Sequence, residues 1–207
     1  MKEKLHIKVL ENEVVKLRQT KKDDFNELFK LAGKKEIWEQ HSNKDRYKKS
    51  VFLEYFDQGL KNEFGSLTII SKLDNKIVGW TRLYDFDDNK PTVKIGYTFL
   101  GKLYWGTNIN YNSKKLILNF LFLFLEHVCF DIFEKNIRSQ KAVKKLGASL
   151  NSQTEDKHHY ILDNKSKITK DNIIKVIKEN QFKNNKQYKV KYIVTVSYTH
   201  LTLPTKA

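Results

Sequence analysis

Cysteine is nearly absent from this chain of 207 residues, in which Cys129 stands alone. One thiol excludes an intramolecular disulfide and a cysteine-rich metal site, and it suits a reducing compartment such as the cytoplasm. The N-terminal MKEKLHIKVLENE has no apolar stretch of signal-peptide length. Long hydrophobic runs are missing as well. The densest, Leu116 to Leu125, is interrupted by Asn119 and falls short of the roughly 20 residues that span a bilayer. A soluble protein with no membrane partner is therefore expected. Internal repeats, low-complexity linkers and an arginine-rich arm are also lacking.

What is present fits one globular domain: 40% hydrophobic and 30% charged residues, on a length that builds one sizeable core. The formal charge of +15 admits three readings. Dense positive charge attracts phosphate without regard to sequence, which would suit a basic RNA- or ribosome-associated module. The lysines are nonetheless scattered, with small clusters at Lys21–Lys22, Lys34–Lys35, Lys48–Lys49 and Lys144–Lys145. That scatter fits a Lys-, Asn- and Ile-rich compositional bias better, and nucleic acid is not the expected partner. The third reading is attraction of an anionic ligand or an acidic substrate.

The end of the chain stands apart. VSYTHLTLPT, Val196 to Thr205, back-translates as a transposase end followed by a primer site, so residues 195–207 are expected to be a translated sequencing adapter. Residues 1–165 are expected to form the domain. Residues 166–194 would be an extension with a helix over Lys170 to Asn180 and a strand.

Hydrophobic periodicity orders the rest. Val14 to Leu17 reads as a strand. Thr20 and Asp23 offer a capping-box-like start to a helix carrying Phe25, Leu28, Phe29 and Ala32, which Gly33 can end. A second helix is expected over Tyr47 to Leu60. Three strands follow at Ser66 to Ser71, Lys76 to Tyr84 and Thr92 to Leu100. Asp74-Asn75 and the Asp87 to Pro91 stretch turn the chain between them, so they should be antiparallel neighbours. A buried helix from Asn108 carries the apolar run. Then come a strand at Val128 to Phe133, a helix at Ile137 to Leu146 with Asn136 as cap and Gly147 beyond it, and strands at Ala148 to Ser152 and His158 to Leu162. The order β-α-α-β-β-β-α-β-α-β-β defines an α+β domain around one mixed sheet.

Two segments suggest chemistry. Ile95 to Lys115 (IGYTFLGKLYWGTNINYNSKK) is a strand, a Gly-containing loop and a helix. Unpaired amides and the helix dipole at such a junction make an anion site suited to a pyrophosphate. Phe133 to Ala148 (FEKNIRSQKAVKKLGA) is a capped helix with Ser139 one turn in. In combination, Ile95-Gly96-Tyr97-Thr98-Phe99-Leu100, Tyr104 to Asn110, Asn136-Ile137-Arg138-Ser139 and Lys145-Leu146-Gly147-Ala148 resemble the GNAT N-acetyltransferases. The nearest branch is that of the ribosomal-protein N-terminal acetyltransferases, whose "G-x-TR" strand is similar to Gly79 to Arg82. The resemblance runs from Val14 to Leu162.

The resemblance implies a GNAT-like, mostly antiparallel mixed sheet flanked by helices, with acetyl-CoA as co-substrate and no metal. It implies acetyl transfer to a primary amine: a protein N-terminus, a polyamine-like metabolite or an aminoglycoside-like molecule, in a monomer or homodimer. By the same resemblance, Phe99 and Leu100 would pair with the pantetheine arm, and the amides of Trp105, Gly106, Thr107, Asn108, Ile109 and Asn110 would hold the pyrophosphate. Asn136 would bond the pantetheine, an amide near Phe99 would stabilise developing negative charge, and Ser139 would be the donor to the departing thiolate, with Val143 where many relatives carry tyrosine. The chain departs from the pattern at Lys94, where the branch carries Glu, with Asp85 and Asp87 nearby, and at Asn108, where it carries Gly. It also has a shorter link before Val128. Lys94 and Asn108 motivate an alternative, a catalytically weak or inactive acyl-CoA-binding relative. Cys129 is expected in the core, His158 and His159 on an edge strand without metal-site spacing, and Trp80, Tyr97, Phe99 and Trp105 in the core or the cleft wall.

Overall fold

Alternation and helical spacing become thirteen regular elements in the computed structural model, which describes residues 2–164. In chain order these are β1 (Val9–Glu11), β2 (Val15–Gln19), α1 (Phe25–Ala32), α2 (Lys35–Trp38), α3 (Lys49–Lys61), β3 (Leu67–Ser71), β4 (Ile77–Asp87) and β5 (Thr92–Leu100). They continue with α4 (Ile109–Leu121), β6 (His127–Phe133), α5 (Ile137–Lys145), β7 (Ser149–Gln153) and β8 (Lys157–Asp163). Short 3-10 turns lie at Lys2–Leu5, Lys22–Asp24, Lys44–Tyr47 and Lys102–Tyr104.

The strands form one eight-stranded sheet in the order β1-β2-β3-β4-β5-β6-β8-β7. Every pairing is antiparallel except β5 with β6. The result is an α+β domain with a mixed, mostly antiparallel central sheet flanked by helices. Asp87 shapes the β4–β5 turn by accepting the amides of Asn89 (2.8 Å) and Lys90 (3.2 Å), as an aspartate does when it initiates a turn.

Two cores lie on the two faces. One joins α4 (Ile109, Leu116, Ile117, Leu118, Leu121) and Val143 of α5 to the sheet. The other packs Leu28, Ala32, Ile37, Trp38, Phe52, Tyr55 and Phe56 of α1, α2 and α3 on Trp80 and Phe99. The buried indoles keep partners for their N–H groups: Trp38 donates to the Ala32 carbonyl (2.7 Å) and Trp80 to the Thr20 hydroxyl (2.8 Å).

Several expectations change. The Thr20 hydroxyl serves Trp80, and it is Asp24, not Asp23, that accepts a backbone amide, from Lys21 (2.8 Å). α4 ends at Leu121, and the rest of the apolar run is a turn buried against the first core. β8 lies between β6 and β7 rather than at an edge. Cys129 is half-buried on the face of β6 opposite Phe130. The helix expected at Lys170 to Asn180, the extension and the adapter-like end lie outside the described residues. Among the described residues no helix is long and apolar enough to cross a membrane, and no group of three or more His, Cys, Asp or Glu is placed to hold a metal ion.

Candidate active site

An extra residue in β5 opens the site. Between the pairs Arg82↔Gly96 and Trp80↔Phe99, β4 contributes Thr81 alone while β5 contributes Tyr97 and Thr98, a β-bulge. Tyr97 takes a left-handed φ of 53°, a conformation that disfavours a residue with a side chain. It is held in three ways. The Tyr55 hydroxyl donates to its carbonyl (2.6 Å), Arg82 lies 3.5 Å from its ring centroid, and Tyr84 packs edge-on at 4.9 Å.

On its other edge β5 meets β6 in a single parallel pair, Lys94↔Cys129. Beyond that pair the strands diverge, and a cavity of about 580 Å³ fills the gap. Its walls come from β5, β6, the loop before α4 and α5, with Ile37, His41 and Arg46 closing the side of α2 and the turn after it. A strand edge deprived of ladder partners presents its amides and carbonyls to whatever enters.

The loop before α4 follows from its residues. Gly106 has φ 75°, and nothing lies within 4 Å of where a Cβ would project. The Trp105 amide is used within the turn, donating to the Lys102 carbonyl (3.1 Å). Thr107 caps α4, its hydroxyl accepting from the Ile109 amide (3.3 Å). The amides of Gly106, Thr107, Asn108 and Asn110 donate to no acceptor among the described residues. Asn110 Oδ1 is buried without a partner. Across the cleft, Asn136 is buried and accepts the Ser139 amide on its side chain (3.1 Å), fixing the first turn of α5.

Of the residues singled out from sequence, Phe99, Leu100, Trp105, Gly106, Thr107, Asn110, Asn136 and Ser139 all line this one cleft. Asn108 and Ile109 do not. Ile109 is buried in the core, and Asn108 is exposed with φ −80°, its carbonyl starting α4. Position 108 thus has no backbone need for glycine; position 106 does. The Leu100 carbonyl is already taken by the Trp105 indole (3.0 Å).

Other functional groups were not singled out. Lys114 is buried, with Nζ donating to Thr98 (2.6 Å) and Thr81 (3.1 Å), and burial pulls its amine down to about 7. A lysine one turn beyond Asn110, just ahead of the apolar run, was the available signal. Lys94 pairs with Asp85 (2.5 Å) and Asp131 (2.9 Å), and Asp131 also bonds His159 Nδ1 (2.7 Å). Burial acts to raise the Asp131 carboxyl, but the bonds from His159 and Lys94 outweigh it and hold it below its ordinary range. Asp85 is exposed and Asp87 serves the turn, whereas Asp131 lines the cleft. Burial, with Asp131 next, pushes the Tyr84 phenol up.

The splayed parallel pair with its amide-rich loop makes a cleft suited to an anionic ligand, and comparison with known proteins gives the family. Residues 15–149 match the acetyltransferase (GNAT) domain, and the chain belongs to that family. Among solved structures it is similar to a GCN5-related N-acetyltransferase from Brucella melitensis, at 16% identity, TM-score 0.69, covering 78% of this chain and 80% of that one. It is also similar to a domain from Methanocaldococcus jannaschii, at 22% identity, TM-score 0.60, covering 72% and 97%. A third likeness is to the ribosomal-protein-S5-alanine acetyltransferase from Vibrio fischeri, at 15% identity, TM-score 0.59, covering 76% and 97%. At these identities the likeness is one of fold. Among the curated proteins nothing matches the chain.

Proposed function

We propose that this chain is an acetyl-CoA-dependent N-acetyltransferase acting on a primary amine, working in the cytoplasm as a domain of residues 1–165. The observation that carries the reading is the opening of β5 from β6 beyond Lys94↔Cys129, with unpaired amides at its mouth. The group fits: the Gly106, Thr107, Asn108 and Asn110 amides and the positive end of α4 suit a diphosphate. Acetyl-CoA supplies the activated thioester. Phe99, Leu100 and Asn136 would hold the pantetheine arm, and a backbone amide near Phe99 would stabilise the developing oxyanion. Ser139 gives a hydrogen bond to the leaving sulfur. Lys94 supplies no carboxylate, so the ammonium proton leaves through water, and Asp131, the one carboxylate among the described lining residues, attracts the ammonium to the cleft.

Two measurements test this on the full chain. Acetyl-CoA should raise Tm, because a ligand that prefers the native state stabilises it. CoA release in an amine panel should follow, and Ser139→Ala should lower kcat roughly tenfold or more with acetyl-CoA affinity unchanged. An unmoved Tm and no CoA release from any amine would refute the proposal. Stabilisation without release would favour the second reading, a binding-only relative, which Lys94 in place of a carboxylate motivates.

A further inference from the structure

Of the 39 lysines and arginines only four are arginine: Arg18, Arg46, Arg82 and Arg138. Arg18 forms an ion pair with Asp24. Of the other three, Arg46 and Arg138 line the cleft, and Arg82 lies against Tyr97, which lines it. Arg46, in the turn between α2 and α3, lies 4.3 Å from the Tyr55 ring centroid and 5.5 Å from that of Trp38. Arg82 lies 5.6 Å from the same Tyr55 ring and 3.5 Å from that of Tyr97. Arg138 lies 3.7 Å from the Trp105 centroid and donates to the Ile37 carbonyl (3.3 Å).

Among the described residues none of these three guanidiniums meets a carboxylate within ion-pair distance, although nine lysine or arginine pairs with carboxylates form elsewhere. Arg82 is only 5% exposed, and its Nε has no acceptor. Asp131 does not fill the gap, being shared by Lys94 and His159. His41, which also lines the cleft, cannot hold a charge: burial, then Arg46 and Arg138, hold its imidazole down to about 4. A buried guanidinium without an anion is costly. Its planar fork suits carboxylate or phosphate, whereas a diffuse positive surface needs only lysine. This lysine-dominated chain places two of its four arginines in the cleft lining and a third, Arg82, against the Tyr97 ring at the bulge.

We propose that the acceptor is a small primary amine that also carries an anionic group, carboxylate or phosphate, bound by Arg46 and Arg138, with Arg82 adding positive charge behind Tyr97. The inference rests on the acetyltransferase reading and narrows it, excluding polycationic amines as the preferred substrate. The diphosphate of CoA does not explain the cluster, because the amide loop before α4 meets that need and Arg82 lies at the Tyr97 bulge.

The test uses the full chain with matched acceptors: phosphoethanolamine against ethanolamine, β-alanine against β-alaninamide, and spermidine. The anionic member of one pair should have a kcat/KM at least about tenfold higher, and which pair responds tells phosphate from carboxylate. Arg46→Gln, at a half-exposed site where folding is not at stake, should raise the acceptor KM about ten- to a hundredfold and leave the acetyl-CoA KM unchanged, with Arg46→Lys recovering part of the loss. Thermal shift with the amines alone reads the same site without turnover, so a chain that transfers nothing still answers the question. Equal stabilisation by charged and uncharged amines, or spermidine as the best acceptor, overturns the inference. So does an Arg46→Gln effect on acetyl-CoA in place of the acceptor.

Discussion

Asp24 gathers four hydrogen bonds on one buried carboxylate. Arg18 approaches both oxygens at 2.6 and 2.7 Å, the Lys21 amide donates at 2.8 Å and Thr68 at 3.0 Å. These bonds tie β2 and β3 to the chain entering α1. Burial acts to raise this carboxyl, but the bonds, Arg18 first, outweigh it, and its folded pKa lies below the ordinary 3.8. Its stabilisation is therefore complete above that value and is lost as pH falls through the lower folded one. Asp24→Asn should cost about 2 kcal/mol at pH 7, since Arg18 keeps some access to water. In urea melts the deficit should shrink below about pH 4; a deficit unchanged at pH 3 would rule out this account. The residues here were plain in the sequence. Their roles were not, because Thr20 looked like a helix cap until Trp80, distant in the chain, claimed its hydroxyl.

At the scale of elements, α3 rests on β4 through a missing side chain. A Cβ on Gly59 would lie 2.2 Å from two ring atoms of Trp80 and 3.0 Å from the Ser66 hydroxyl. The indole has nowhere to go: it is fully buried, anchored to Thr20, and packed against Tyr55 and Phe56. Gly59→Ala should destabilise by about 3 kcal/mol despite its better helix propensity. A melt of unchanged or raised midpoint would show that α3 can shift. The longer elements were legible because α1, α3, α5 and the strands carry clear spacing. β1 and α2 were missed, being three and four residues long and too short for a period to show. The apolar run overstated α4, since a turn buried beneath a core is as hydrophobic as a helix.

For the whole molecule the telling group is Lys114, one amine sealed between α4 and the sheet. Unfolded, it keeps its proton up to an ordinary 10.5; folded, burial lowers it to about 7. The unfolded chain thus binds more protons between those values, and stability rises with pH across that window. From pH 7 to 9 the gain should be about 2 kcal/mol. Lys114→Met, which keeps the volume and removes the charge, should flatten that slope in denaturant titrations. A variant with the parental slope would assign the pH dependence elsewhere. The burial of Lys114 and the convergence of three arginines share a feature: both are completed by segments distant in the chain.

Composition and spacing by themselves determined the α+β class, the antiparallel run from β3 to β5 and the loop-to-helix segment with its glycine. Those properties depend on residues close in the chain, where period, caps and turn chemistry act. Only tertiary structure decided that Gly106 rather than position 108 needs the special backbone and that Asp131 is the carboxylate facing the cleft. It alone also decided that Arg46 and Arg138 line the cleft with Arg82 against Tyr97. The physical reason is that burial and charge pairing are set by which distant segments meet. That meeting depends on where β5 bulges and parts from β6, a property of the folded sheet.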